Sequence, residues 1–181
     1  MALTRLNTNA YGSTINLASN VTGTLAAANG GTGLTSYTPG KILQVVSGTY
    51  STEVSSTNSS AWTDTGLSLA ITPSSTSSKI FFIFSQQAFV TRASSLARGL
   101  FRVLNTETGA AVYDSANHTI NMQQSGSDLS HSTMLIFSGV HSPSATSART
   151  YKTQMLPEAS TTIKAQQNNH MSSVQLMEIG A

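Results

Sequence analysis

Trp62–Thr72 reads WTDTGLSLAIT, and Lys79–Val90 reads KIFFIFSQQAFV. In the first stretch, Leu67, Leu69 and Ile71 alternate with Ser68, Ala70 and Thr72. A period of two puts the apolar set on one face of a pleated strand and the small polar set on the other. Pro73 ends the stretch, because proline cannot donate to a ladder. In the second stretch, aromatic and β-branched residues favour a strand over a helix and predict burial on both faces at its start. The loop between them, Ser74–Ser78, is all hydroxyls.

The same reading extends outward. In Ala97–Leu104 (ARGLFRVL), Leu100 and Leu104 fit a helical spacing, but Gly99 weakens a helix. As a strand, Phe101 and Val103 face one way and Arg98 and Arg102 the other. Asn105–Gly109 (NTETG) then makes a hairpin connection to Ala110–Tyr113. Further strands are expected at Lys41–Ser47, Thr49–Ser55, Thr133–His141, Arg149–Leu156, Thr162–Gln166 and Val174–Ile179. Hydroxyl and glycine turns such as Ser125–Asp128 and Ser142–Ser147 separate them. A series of about nine or ten short strands without a long helical crossover predicts an all-β fold, an antiparallel β-sandwich or jelly roll.

Composition narrows the class. The 181 residues include 29 Ser and 25 Thr, whereas charged residues make up 9%. Soluble domains average roughly 25% charged residues, so this surface is dressed in hydroxyls and amides. The nine Lys and Arg are scattered, which gives nucleic-acid binding a weak electrostatic footprint. The chain has no cysteine, which removes disulfides and thiolate metal sites. The opening MALTRLNTNAYG lacks the apolar core of a signal peptide. The longest apolar run, Ile80–Phe84, is too short to span a bilayer. The expectation is a soluble protein made in a cytoplasm, with no membrane insertion.

Residues 1–37 differ from the rest. They are rich in Asn, Thr, Ala and Gly, with few large apolar groups. One copy of such a segment buries too little surface to offset its ordering entropy. It is either disordered or ordered by other chains. This predicts an extended, largely irregular N-terminal arm ahead of a β-rich head at 38–181.

The arm holds the most specific string, Val21–Gly33, VTGTLAAANGGTG. Its Asn29, Gly30, Gly31 and Gly33 all tolerate positive φ, and its threonines can bond local backbone. The string resembles a segment recurrent in bacteriophage tail-fibre and related virion fibre proteins, where it joins an attachment region to a distal β-rich part. The matching residues are Gly23, Thr24, Leu25, Ala28, Asn29, Gly30, Gly31, Thr32 and Gly33. The opening MALTRLNTN looks similar to the start of such subunits. The resemblance covers about a fifth of the chain. It implies a homotrimer located in the virion and assembled in the host cytoplasm. The arm would attach to other virion proteins of the tail, baseplate or capsid, and the head would face host-surface glycan or protein.

Catalytic patterns are weak. His118, His131, His141 and His170 show no HxH or HExxH spacing, and no G-x-S-x-G elbow is present. Gly30–Gly33 lacks the lysine of a phosphate loop. Asp64, Glu107, Asp114 and Asp128 lie in or near expected loops, where a glycosidase pair is conceivable. The sequence reading is a non-enzymatic protein with no cofactor, no metal and no nucleic-acid partner. Its candidate receptor contacts combine aromatic faces with amides: Trp62 and Tyr113, with Asn117, Asn121, Gln123 and Gln124 on the expected loop Ser115–Ser130, and Asn168 and Asn169 on the expected loop Gln166–Ser172. Tyr50 and Tyr151 are further aromatic candidates. Two other readings stay open, a capsid decoration or head-fibre protein and a small cell-surface polysaccharide hydrolase.

Overall fold

A computed structural model of the chain describes residues 42–92, 96–114, 119–123 and 128–180. The chain divides into two units, Met1–Gly40 and Lys41–Ala181, and all described residues belong to the second. They form eleven strands: β1 (Ile42–Tyr50), β2 (Val54–Ser56), β3 (Thr63–Ile71), β4 (Lys79–Arg92), β5 (Leu96–Asn105), β6 (Ala111–Asp114), β7 (Ile120–Gln123), β8 (Leu129–His141), β9 (Arg149–Pro157), β10 (Thr162–Ala165) and β11 (Ser172–Ile179). All pairings are antiparallel.

Two sheets result. In sheet A, β4 is central. One edge of β4 pairs with β11 along Lys79–Ser85 and with β10 along Ala88–Thr91. Its other edge pairs with β8 from Ile80 to Arg92. β1 flanks β11, and β2 flanks β10. Sheet B runs β3, β9, β5, and the far edge of β5 is shared by β6 and β7. Counting each divided pair as one strand, the sheets run 1-8-3-6 and 2-7-4-5, the jelly-roll order.

The alternation read in the sequence places the core. Leu67 and Ile71 of β3 are buried, as are Ile80, Phe82 and Phe84 of β4 and Phe101 and Val103 of β5. Phe82 stacks on Tyr151 with ring centroids 6.4 Å apart, and Phe101 stacks on Phe137 at 6.2 Å. These contacts join the two sheets. The NTETG hairpin forms as expected, with Asn105 N–H donating to Ala110 O at 2.9 Å and Gly109 at φ +68°.

Four expectations change. The strand expected at Lys41–Ser47 runs on through Tyr50 as β1, because β11 pairs with it residue for residue from Val45 to Tyr50 and carries the ladder through Gly48, and the strand expected at Thr49–Ser55 is divided between the end of β1 and the short β2. The loop expected at Ser115–Ser130 holds β7 and the start of β8, since β5 and β4 extend far enough to pair with them and bury Ile120 and Leu129. Phe81 and Ile83 are only half-buried, because they point away from the sandwich. The loop expected at Gln166–Ser172 is a tight turn with Gln166, Asn168 and Asn169 in the left-handed region.

The core also holds a polar chain that apolar patterning does not anticipate. Thr65 Oγ1 and Thr153 Oγ1 lie 2.5 Å apart, and Thr153 Oγ1 donates to Gln86 Oε1 at 2.8 Å. Gln86 Nε2 donates to Gln87 O at 2.8 Å. With the Gln166 amide oriented to satisfy both its ends, its oxygen accepts from Gln86 Nε2 at 2.8 Å and its nitrogen donates to Thr65 O at 3.0 Å. Ser172 Oγ accepts the Gln87 N–H at 2.9 Å. Gln86, Thr65, Thr153, Gln166 and Ser172 are all fully buried, so the network stitches β3 and β9 to β4 and β11 from within.

Gly66 sits where the β3–β9 register shifts between Asp64 and Ser68, at φ +87°. A Cβ there would lie 2.2 Å from Cε1 of Tyr50. Both backbone and space therefore demand glycine. Gly66→Ala is expected to destabilise the fold by about 2 kcal/mol, read as a lower thermal midpoint by circular dichroism. An unchanged midpoint would mean that neither demand is real.

Candidate receptor-binding face

The outer face of sheet B carries much of the molecule's charge. Cross-strand partners share a face, so the registers Asp64↔Gln154, Gln154↔Arg102 and Arg102↔Asp114 define one polar row across β3, β9, β5 and β6. Arg102 Nε donates to Gln154 Oε1 at 2.8 Å, and Gln154 Nε2 donates to Asp64 Oδ1 at 2.6 Å. Lys152, one step along β9, reaches Asp64 Oδ2 at 2.7 Å. Trp62, just ahead of β3, lies over the Arg102 guanidinium at 4.3 Å. A second group forms where Arg98 Nε donates to Asn121 Oδ1 at 3.2 Å and its guanidinium stands 3.9 Å from Glu158.

These side chains hold one another in place. Partial burial raises the Asp64 pKa, but hydrogen bonds from Lys152 and Gln154 and the charges of Lys152 and Arg102 outweigh it and hold the carboxyl below its ordinary value. Asp64 is therefore a fixed anion at neutral pH. A shallow hollow of about 140 Å³, open to solvent and lined by Asp64, Gly66, Leu67, Ser68 and Lys152, adjoins it. That is smaller than small-molecule sites, which span roughly 300–1,000 Å³, so the hollow is a dimple in an open face and not an enclosed pocket. The face offers donors, acceptors and one aromatic ring on a rigid sheet, an arrangement suited to an extended, hydroxyl-rich ligand.

The candidate residues divide among several places. Trp62, Asn121 and Gln123 share this face without meeting, Trp62 beside Arg102 and the exposed Asn121 and Gln123 on β7 at the opposite edge of the sheet. Tyr113 turns inward instead, opposite Val103 and 5.2 Å from the Phe137 ring. Tyr151 is fully buried and Tyr50 packs over Gly66. Asn168 and Asn169 are exposed on the β10–β11 turn of sheet A, where Asn168 N–H donates to Glu53 at 3.0 Å. Gly23, Thr24, Leu25, Asn29, Gly30, Gly31, Thr32 and Gly33, with Asn117 and Gln124, lie outside the described residues. Sequence reasoning passed over Arg102, Gln154 and Lys152. Their signal was the alternation of Lys152 and Gln154 with Tyr151, Thr153 and Met155.

No catalytic residue is expected from the sequence, and two of the carboxylates weighed for a glycosidase pair stand far apart. Asp64 and Asp114 lie on strands, at opposite ends of a four-strand row. Three strand spacings separate them by about 14 Å. Glycosidase carboxyl pairs stand roughly 5–9.5 Å apart. His141 ends β8, and its Nδ1 lies 2.8 Å from the Tyr151 hydroxyl. Among the described residues no cluster of three or more His, Asp or Glu is placed to hold a metal. Nor is any helix there long and apolar enough to cross a membrane.

No family model matches the chain, and no curated protein matches it. Among solved structures, it is similar to the D431N mutant VP2 protein of infectious bursal disease virus in derived T=1 particles. The match has 11% identity and a TM-score of 0.33, and spans 77% of this chain and 37% of that one.

Proposed function

We propose that this chain is a bacteriophage virion structural protein of the tail-fibre type. Residues 1–37 anchor it to the virion, and residues 38–181 form a trimeric β-rich head that binds a host-surface glycan or protein without catalysis. The arm assignment rests on the Val21–Gly33 string and its resemblance to fibre proteins. The observation that carries the binding assignment is the outer face of sheet B, where Trp62, Arg102, Gln154 and Asp64 form one connected, preorganised surface. An aromatic ring beside fixed hydrogen-bonding groups suits a sugar, whose ring has an apolar face and a hydroxylated rim.

The test is binding of the full chain to host cells and to their isolated surface polysaccharide. Trp62→Ala is expected to weaken binding at least tenfold while the circular dichroism spectrum stays unchanged. Binding unaffected by Trp62→Ala and by Arg102→Ala would remove this face from the function. The jelly-roll order, common to viral capsid and lectin domains, favours one second reading, decoration of the capsid. In that case the protein binds purified capsids and raises their thermal stability, and ignores cells.

A further inference from the structure

The outer face of sheet A is the reverse of sheet B's. The registers Val45↔Met177, Met177↔Phe81 and Phe81↔Val140 define an apolar row across β1, β11, β4 and β8. Val45 is 56% exposed, Val140 55% and Ile136, on the same face of β8, 67%. Phe81 and Ile83 beside them are half-buried. A sheet side of four strands by about nine residues measures about 19 by 30 Å. With side-chain relief this approaches the roughly 800 Å² that each partner contributes to a standard protein interface. Its flat footprint of about 570 Å² stands at the upper end of the roughly 300–600 Å² that the largest apolar patch of a monomer covers, a size at which such patches are often functional.

We infer that this face is where copies of the chain meet. The occupant follows from charge. Along the outward positions of β1, β11, β4 and β8, the described residues carry one charge, Lys79 at the end of β4. The remaining positions are apolar, hydroxyl or amide. A partner with an ordinary charged surface would bury ions without counterparts, at a cost of several kcal/mol each. A second copy of the same face brings almost none. The two faces of the sandwich thereby divide the work, with sheet A turned to neighbouring subunits and sheet B outward to ligand. This deepens the trimeric reading proposed above and rests on it for the number of subunits alone.

The experiment is the mass of the full-length protein by sedimentation velocity, beside the double variant Ile136→Glu/Val140→Glu. Both residues are exposed in the single subunit, so the variant is expected to fold. The expected result is a threefold fall in mass, from trimer to single chain, with an unchanged circular dichroism spectrum. Cysteine cross-linking decides the matter if that variant does not fold. The chain has no cysteine of its own, so any bridge in a single-cysteine variant joins two chains. Val140→Cys with a short bismaleimide is expected to give covalent dimers, and Ala70→Cys, on the outer face of sheet B, none. A wild-type protein of single-chain mass, a folded double variant of undiminished mass, or cross-linking through Ala70→Cys alone would overturn the inference. A multimer held by sheet A that ignores host cells would sink the receptor reading and leave this one standing. A single-chain protein that binds cells would do the reverse.

Discussion

Gln86→Leu is expected to lower the thermal midpoint by about 10 °C, although it replaces a fully buried polar residue with an apolar one of similar size. The reason lies in what remains. Gln86 Oε1 takes the Thr153 hydroxyl proton, and Gln86 Nε2 serves Gln87 O and the Gln166 amide oxygen. Leucine leaves the Thr153 hydroxyl and both oxygens without these partners inside the sandwich. Each orphaned buried group costs about 1–3 kcal/mol, so a loss of about 3–4 kcal/mol is expected after relaxation. The double variant Gln86→Leu/Thr153→Val removes both ends of one bond. It is expected to cost less than the sum of its single changes, because the loss belongs to the pair. Denaturant unfolding of the four proteins in the cycle measures this. Strict additivity would show that the network contributes no coupling and that the polar chain is incidental.

That network marks where the sequence stops being legible. β3, β4 and β5 were readable because one face of each is apolar at a period of two, and the arginines of β5 fall on the face opposite Phe101 and Val103 as expected. The SQQ in the middle of β4 reads as an interruption of the apolar run. Its meaning depends on Thr65, Thr153 and Gln166, which lie far from it in sequence and meet it only once the sheets pack. The candidate binding face was half legible for the same reason. Trp62 and Asn121 belong to residue types that attract attention in polar loops, but the row Asp64–Gln154–Arg102–Asp114 exists only through the registers of four strands. No spacing along the chain encodes it. Tyr113 illustrates the converse. Its type suggested a ligand contact, but its place opposite Val103 on β5 turns it toward Phe137. The exposed side of sheet A was misread because KIFFIF looks buried on both faces. The intrinsic preference for strand was right, and what covers the outer side was not encoded in that stretch.

Glu178→Gln is expected to destabilise the fold at neutral pH and to be nearly harmless in acid. Glu178 is fully buried on the inner side of β11. Its carboxylate accepts the Ser74 N–H at 2.7 Å, the Ser74 hydroxyl at 2.6 Å and Gln44 Nε2 at 2.6 Å. It therefore pins the hydroxyl loop Ser74–Ser78 and the start of β1 to the end of sheet A. Burial alone would raise its pKa, but these hydrogen bonds outweigh burial and hold it at about 2, against an ordinary 4.5. The sign follows from proton counting. Between the two values the unfolded chain binds the proton and the native state does not, so lowering the pH favours unfolding. The contribution is complete above pH 4.5 and is lost as pH falls toward 2. Glutamine presents one carbonyl and one N–H₂ to a set of donors, so at pH 7 the variant is expected to lose about 2 kcal/mol. The gap to wild type should close as the pH is lowered from 5 to 2, because wild type surrenders the same contribution by protonation. His141 adds to the acid sensitivity from a higher pH. Burial, with the nearby charge of Arg149, holds its pKa below 6.5, so the unfolded chain gains a proton first as the pH drops through that value. Thermal midpoints of both proteins at pH 7, 5 and 3 separate the two groups. A gap of constant size across that range would show that the Glu178 charge contributes nothing and that its hydrogen bonds serve equally well in the neutral acid.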